Sequence, residues 1–269
     1  MPKVGLGYQT FFHKDLMDHL DDIDFVEVSP DLLTDNPEAL GLVGQISKGI
    51  ETVLHGVHLS FASHADMNET SIAMAQKVIS LTGAKAFSDH FSFTGERTGD
   101  TELYIPPVLN EASLETLVGR ALHLRSVLGV ELQFENVASL FRNPFNELGE
   151  GEFLREFCRR SGARLILNID SIVITSRALG VDAETVLRSY PLQYVESITL
   201  VPSVAMNPML RAMYAEEVDL QMWRLLETVL AESDADSVVL QRRFRENDFA
   251  QMRPFIERTR EVMNQRSVS

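Results

Sequence analysis

The sequence has one cysteine, a shortage of cations and no long apolar run. A lone thiol excludes an intramolecular disulfide and permits a reducing compartment. Inside the amphipathic stretch Glu152–Arg160, Cys158 reads as a small buried apolar residue and not as a nucleophile. Lys and Arg number 24 against 39 Asp and Glu, a formal net charge of −15. Such a field repels phosphate backbones and anionic lipid headgroups, which argues against nucleic acid and membrane as partners. No run approaches the ~18 apolar residues of a membrane span. The start, Met1-Pro2-Lys3 and then Val4–Gly7, lacks the apolar segment of a secretion signal, so a cytoplasmic location is expected. Ser/Gly-rich linkers and low-complexity tracts are also missing, so residues 1–269 are read as one domain.

What is present is an alternation. Short runs rich in β-branched and aliphatic residues alternate with longer amphipathic stretches, the pattern of repeated βα units around a parallel sheet. The expected strands are Val4–Gly7, Asp24–Val28, Thr52–His55, Ala86–Ser88, Glu131–Phe134, Arg164–Ile169, Val195–Leu200 and Ser237–Leu240. Between them lie expected helices, among them Asn68–Leu81, Glu111–Leu128, Glu150–Arg160, Asp182–Arg188, Asp219–Ala231 and the closing Asp248–Gln265. Eight such units predict a (β/α)8 TIM barrel, which needs ~250 residues. The irregular stretch Phe91–Asn110, with Gly95, Gly99, Pro106 and Pro107, is expected to be a rim loop after the fourth strand.

In such a barrel the active site lies at the C-terminal ends of the strands. The polar residues falling there are Asp31, His55, Asp89, His90, Glu135, Asn136 and Asp170. Two imidazoles and two or three carboxylates on one rim make an N/O site for iron, manganese or zinc. Each residue alone admits a blander reading: His55 and His90 as rim histidines bonded to backbone, Asp31 as the cap of the turn Pro30–Asn36. Glu135 ends an otherwise apolar run, where a carboxylate without a cation or donors is costly. His58 follows in the loop as a supporting candidate.

At these residues the sequence resembles the multinuclear non-heme iron-dependent oxidative enzymes. The resemblance begins with Gly5-Leu6-Gly7-Tyr8 and Phe25-Val26-Glu27-Val28-Ser29-Pro30-Asp31. It is clearest in Leu54-His55-Gly56-Val57-His58-Leu59-Ser60, Ser88-Asp89-His90-Phe91-Ser92-Phe93 and Phe134-Glu135-Asn136-Val137. It implies a xylose-isomerase-like barrel holding two or three irons, which uses oxygen to rearrange or cleave the cysteine-containing end of a ribosomally made peptide. Relatives include methanobactin-type peptide-modifying oxidases, often working with a partner protein that grips the leader. The matching ligands here are His55, His90 and Glu135, with Asp31 standing where the family usually has Glu.

The second half departs from the family pattern. Asn168-Ile169-Asp170-Ser171 stands for Asp-Val-Asn-Asn, which turns a ligand carboxylate into an amide and leaves Asp170 two residues on. Ala178-Leu179-Gly180 replaces Asn-His-Gly, and Thr199-Leu200-Val201-Pro202-Ser203 replaces His-Leu-Ala-Gly-His. The last-strand Glu becomes Gln241, beside Arg242 and Arg243. The resulting expectation is one ion, iron or another divalent transition metal, held by His55, His90 and Glu135 with Asp31 or Asp170. His58, Asp89, Asn136, Asn168, Gln241 and Arg242 are expected around it. The competing expectation is a degenerate barrel that keeps a peptide-binding rim without catalysis. A sugar isomerase or aldolase barrel ranks last, because no strand ends in lysine.

Overall fold

Among the described residues ten strands form: β1 (Lys3–Gly7), β2 (Phe25–Val28), β3 (Glu51–His55), β4 (Ala86–His90), β5 (Phe93–Glu96), β6 (Gly99–Ile105), β7 (Glu131–Glu135), β8 (Arg164–Asn168), β9 (Val195–Leu200) and β10 (Ser237–Leu240). The computed structural model describes residues 3–34, 36–63, 66–96, 99–202, 208–241 and 248–266. Eight of the strands close a parallel barrel in the order β1-β10-β9-β8-β7-β4-β3-β2. Helices cover its outside, and several end where the sequence punctuation predicts. Asn68 accepts from the backbone N–H groups of Thr70 and Ser71 at the start of Glu69–Thr82, and Gly83 closes that helix at φ 69°. Among the described residues no helix is long and apolar enough to cross a membrane.

Three local expectations are corrected. The stretch Phe91–Asn110 is not wholly irregular: β5 and β6 pair antiparallel within it. Phe93, Tyr104 and Ile105 are good strand formers, and the glycines and prolines around them masked that signal. The strand expected over Arg164–Ile169 stops at Asn168, and a helix, Ile169–Leu179, starts at the next residue. Its run of Ile, Val and Thr has strand character, yet the Asn168 side chain accepts from Ser171 N–H and caps a helix there. The helix Pro37–Ile46 was not expected, since Gly41 and Gly44 dilute its propensity.

Register decides what points inward. Parallel pairing sets Glu27 beside Val53, His55 beside Ser88, His90 beside Glu135 and Asn168 beside Thr199. These pairs share the inner face, because side chains alternate along each strand. Phe134, one residue before Glu135, faces the helices. Its ring lies 4.2 Å from that of Phe61 and 5.3 Å from that of Phe157. A buried phenylalanine side chain contributes ~1.5–3 kcal/mol. That outward anchor makes a one-residue slip of β7 costly and so holds Glu135 in the barrel.

Candidate metal centre

His55, His90 and Glu135 end β3, β4 and β7, three neighbouring strands, and one potential ligand atom from each lies within 4.8 Å of the others. His55 Nε2 is 3.7 Å from Glu135 Oε2 and His90 Nε2 is 4.0 Å from Glu135 Oε1. All three are buried, Glu135 to 2% exposure. The Ser88 hydroxyl donates to the Leu54 carbonyl at 3.0 Å, so at 2.9 Å it accepts from His55 Nδ1–H. That bond fixes the tautomer and leaves the Nε2 lone pair of the neutral ring facing Glu135, the arrangement of metal-binding histidines. Ligand atoms around one transition-metal dication stand roughly 3 Å apart. The N/N/O set therefore fits one ion after small side-chain adjustments.

Two of the residues standing where the resemblance places lost ligands, Asn168 and Thr199, turn toward Glu135. Asn168 Nδ2 donates to Glu135 Oε1 at 2.6 Å, and Thr199 Oγ1 donates to Glu135 Oε2 at 3.2 Å. Asn136 holds Asn168 in place: its Oδ1 accepts from Asn168 N–H at 2.7 Å and its Nδ2 donates to the Asn168 carbonyl at 3.3 Å. The Gln241 amide donates to Glu27 Oε1.

The other expected residues stand around this centre. Asp31 lies in the turn Pro30–Leu33, and its Oδ2 accepts from Val57 N–H at 2.8 Å. Asp89 Oδ1 accepts from His90 N–H at 2.7 Å. Asp31 Oδ1 and Asp89 Oδ2 are buried with no hydrogen-bond partner, a condition that nearby positive charge would relieve. Asp170 sits in the first turn of the helix Ile169–Leu179, and neither it nor Asp31 belongs to the clustered three. His58 is partly buried in the loop after β3, where its carbonyl accepts from Asn68 Nδ2 at 3.3 Å. Arg242, with Arg243 and Ser203, falls outside the described residues.

The site is rich in carboxyl groups. Burial, and then the Glu135 charge, raise the Glu27 pKa, against the opposing effects of His55 and Gln241. Burial and the neighbouring Asp31 push Asp89 up to about 8. Burial by itself would lower the His55 pKa, but Glu27, Glu135, Asp89 and Asp31 together outweigh it and hold the imidazole above its ordinary value. A backbone detail permits this crowding. A Cβ on Gly56 would sit 2.4 Å from Asp89 Oδ2 and 2.8 Å from the Phe87 ring.

Three members of the site were not expected from the sequence. Glu27, 5% exposed, occupies an inward position of β2, and a charged residue between Val26 and Val28 was its signal. Ser88 was visible only as part of a motif. Tyr104, from β6, stacks on His90 with ring centroids 3.8 Å apart and planes 19° from parallel. Nothing local in the sequence announces that contact, which depends on where the hairpin folds.

Comparison with known proteins agrees with the barrel. The sequence profile described as RiPP precursor modification enzyme MbnB/TglH/ChrH matches residues 3–264. A UPF0276 protein of Chromobacterium violaceum is 26% identical over 226 residues, 84% of this chain and 82% of that protein. A UPF0276 protein of an Anaeromyxobacter species is 28% identical over 209 residues, 77% of this chain and 74% of that protein. Among solved structures, a xylose isomerase domain containing protein from Salmonella typhimurium superposes with a TM-score of 0.63 at 12% identity, covering 98% of both chains. D-Psicose 3-epimerase from Clostridium cellulolyticum gives 0.59, also at 12%, covering 98% of this chain and 95% of that one. At such identities these two likenesses speak for a xylose-isomerase-like TIM barrel alone.

Proposed function

The chain belongs to the family of RiPP precursor modification enzymes MbnB/TglH/ChrH, and on that premise we propose that it is an iron-dependent oxidative enzyme acting on a cysteine-containing ribosomally made peptide. The observation that carries this is the set of three ligand atoms within 4.8 Å, with Ser88 fixing the tautomer of one histidine. His55, His90 and Glu135 would hold one ion. A bound iron supplies Lewis acidity and one-electron redox chemistry to a substrate thiolate and oxygen.

The remaining work falls to the chain itself. Ser88 keeps His55 Nε2 available, while Asn168 and Thr199 aim the Glu135 carboxylate. Tyr104 covers one face of His90 and restricts water there. One ion is favoured over two or three, because Asn168, Thr199 and Gln241 offer amides and a hydroxyl in place of carboxylates and imidazole. The peptide would enter at the C-terminal rim, and a partner protein gripping the leader belongs to the same proposal, as do a cytoplasmic setting and one domain over residues 1–269.

A second reading, a barrel that binds peptide without catalysis, is favoured by one observation: both Glu135 oxygens already accept hydrogen bonds. Anaerobic loading with Fe(II), followed by metal analysis, separates the two readings. The proposal expects one iron per wild-type chain and none in Glu135→Gln. No iron in the wild type would leave the non-catalytic reading, and two or three would overturn the reduced site.

A further inference from the structure

The interior of a TIM barrel is ordinarily filled by layers of bulky branched side chains. Here four of the positions below the site carry small residues, Ala86, Ser88, Ser197 and Ser237, and a cavity of about 220 Å³ remains inside the barrel. It opens among the N-terminal ends of the strands, beside the ion pair of Lys3 with Glu51 at 2.6 Å, whose side chains are 43% and 51% exposed. Its inner end reaches Glu27 and Ser88. Ser88 is the residue whose hydroxyl accepts from His55 Nδ1–H. The cavity therefore ends one hydrogen bond from the candidate metal centre, on the side away from the rim.

Two observations give the cavity its character. Gln133 and Val53 point inward at mid-barrel, yet both are only partly buried, so solvent reaches that depth from below. The lining is mixed: Phe25, Ile166 and Val239 supply apolar wall, while a polar path runs from the Glu196 and Asp236 carboxylates at the mouth through Gln133 and Ser197 to Ser88 and Glu27. An apolar cavity of this size stays dry, whereas one lined by donors and acceptors holds water. Above the site, Tyr104 stacks over His90 and narrows approach from the rim.

We propose that this cavity is a solvent channel that carries water and protons between the N-terminal face of the barrel and the underside of the site, leaving the C-terminal rim to the substrate. The route runs past Ser237 and Ser197 to Ser88. Its occupant is a chain of waters, and none of its steps requires a metal ion.

The test uses the full chain in solution. Magnetisation transfer from water to the His55 Nδ1 proton, observed by NMR, reports how fast water reaches Ser88. Ala86→Leu and Ser197→Leu fill the channel from two different strands without replacing a site residue. The channel predicts exchange at least tenfold slower in either folded variant, with the His55 proton shift unchanged. Exchange at the wild-type rate would show that water arrives from the rim and would overturn the proposal. A room-temperature crystal structure of the wild type gives a second reading independent of the variants. Ordered waters running from Ser237 to Ser88 support the channel, and a dry cavity rejects it.

Discussion

Asn168 donates its side-chain amide to Glu135 Oε1 at 2.6 Å while its Oδ1 accepts from Ser171 N–H at 2.9 Å. One residue thus starts the helix after β8 and aims the carboxylate that ends β7. Only an amide does both, because Asp caps a helix equally well but cannot donate when ionised. Asn168→Asp would set a second carboxylate against Glu135. The expected outcome is a metal-free protein less stable by about 1–3 kcal/mol, the cost of an unmet buried polar contact. Added Fe(II) or Mn(II) should recover part of the loss. Urea unfolding with and without chelator measures both effects, and equal stability in chelator would contradict the role given to Asn168.

Gly56 lies against the Asp89 carboxylate, and a Cβ there would sit 2.4 Å from Oδ2. Gly56→Ala must displace either that carboxylate or the Phe87 ring. Overpacking of this kind typically costs about 1–3 kcal/mol. A lowered thermal midpoint together with weaker metal binding is expected, since Asp89 adjoins His90 in the chain. A substitution with no effect on either would mean that the loop from Gly56 to Ser60 is free to move.

Glu150 accepts from the Tyr190 hydroxyl at 2.8 Å, and burial raises its pKa, only partly offset by that bond. A carboxyl with a raised folded pKa binds its proton more tightly when folded than when unfolded. Stability from this group is therefore present below the ordinary carboxylate pKa and is lost as pH rises through the folded value. Glu150→Gln keeps an acceptor for Tyr190 and removes the titration. The variant should show a smaller fall in stability between mildly acidic and neutral pH than the wild type. Parallel pH profiles in denaturant unfolding would sink this assignment.

Much of this architecture can be read in the residues, and for definite reasons. The β-branched runs and the caps at Asn68, Gly83 and Asp182 specify their elements locally, so the barrel is legible. His55, His90 and Glu135 are legible too, because each ends a strand and strand ends share a rim. Glu27 was less so, since a charge within a strand reads as solvent-facing until the register turns it inward beside Val53. The hydrogen bonds from Asn168 and Thr199 to Glu135 join residues 33 and 64 positions apart. No local pattern reports them: a neutral residue at a ligand position reads as a loss until the neighbouring strand shows what it holds.

On the proposed reading His55, His90 and Glu135 hold one transition-metal ion, and the neighbouring strand ends at Asn168, Thr199 and Gln241 hold none. Anomalous diffraction at the iron edge from crystals grown anaerobically with excess Fe(II) tests it most directly. One peak is expected, about 2.0–2.2 Å from His55 Nε2, His90 Nε2 and a Glu135 oxygen, as such bonds require. A second peak beside Asn168 or Gln241, or a single peak away from Glu135, would contradict it.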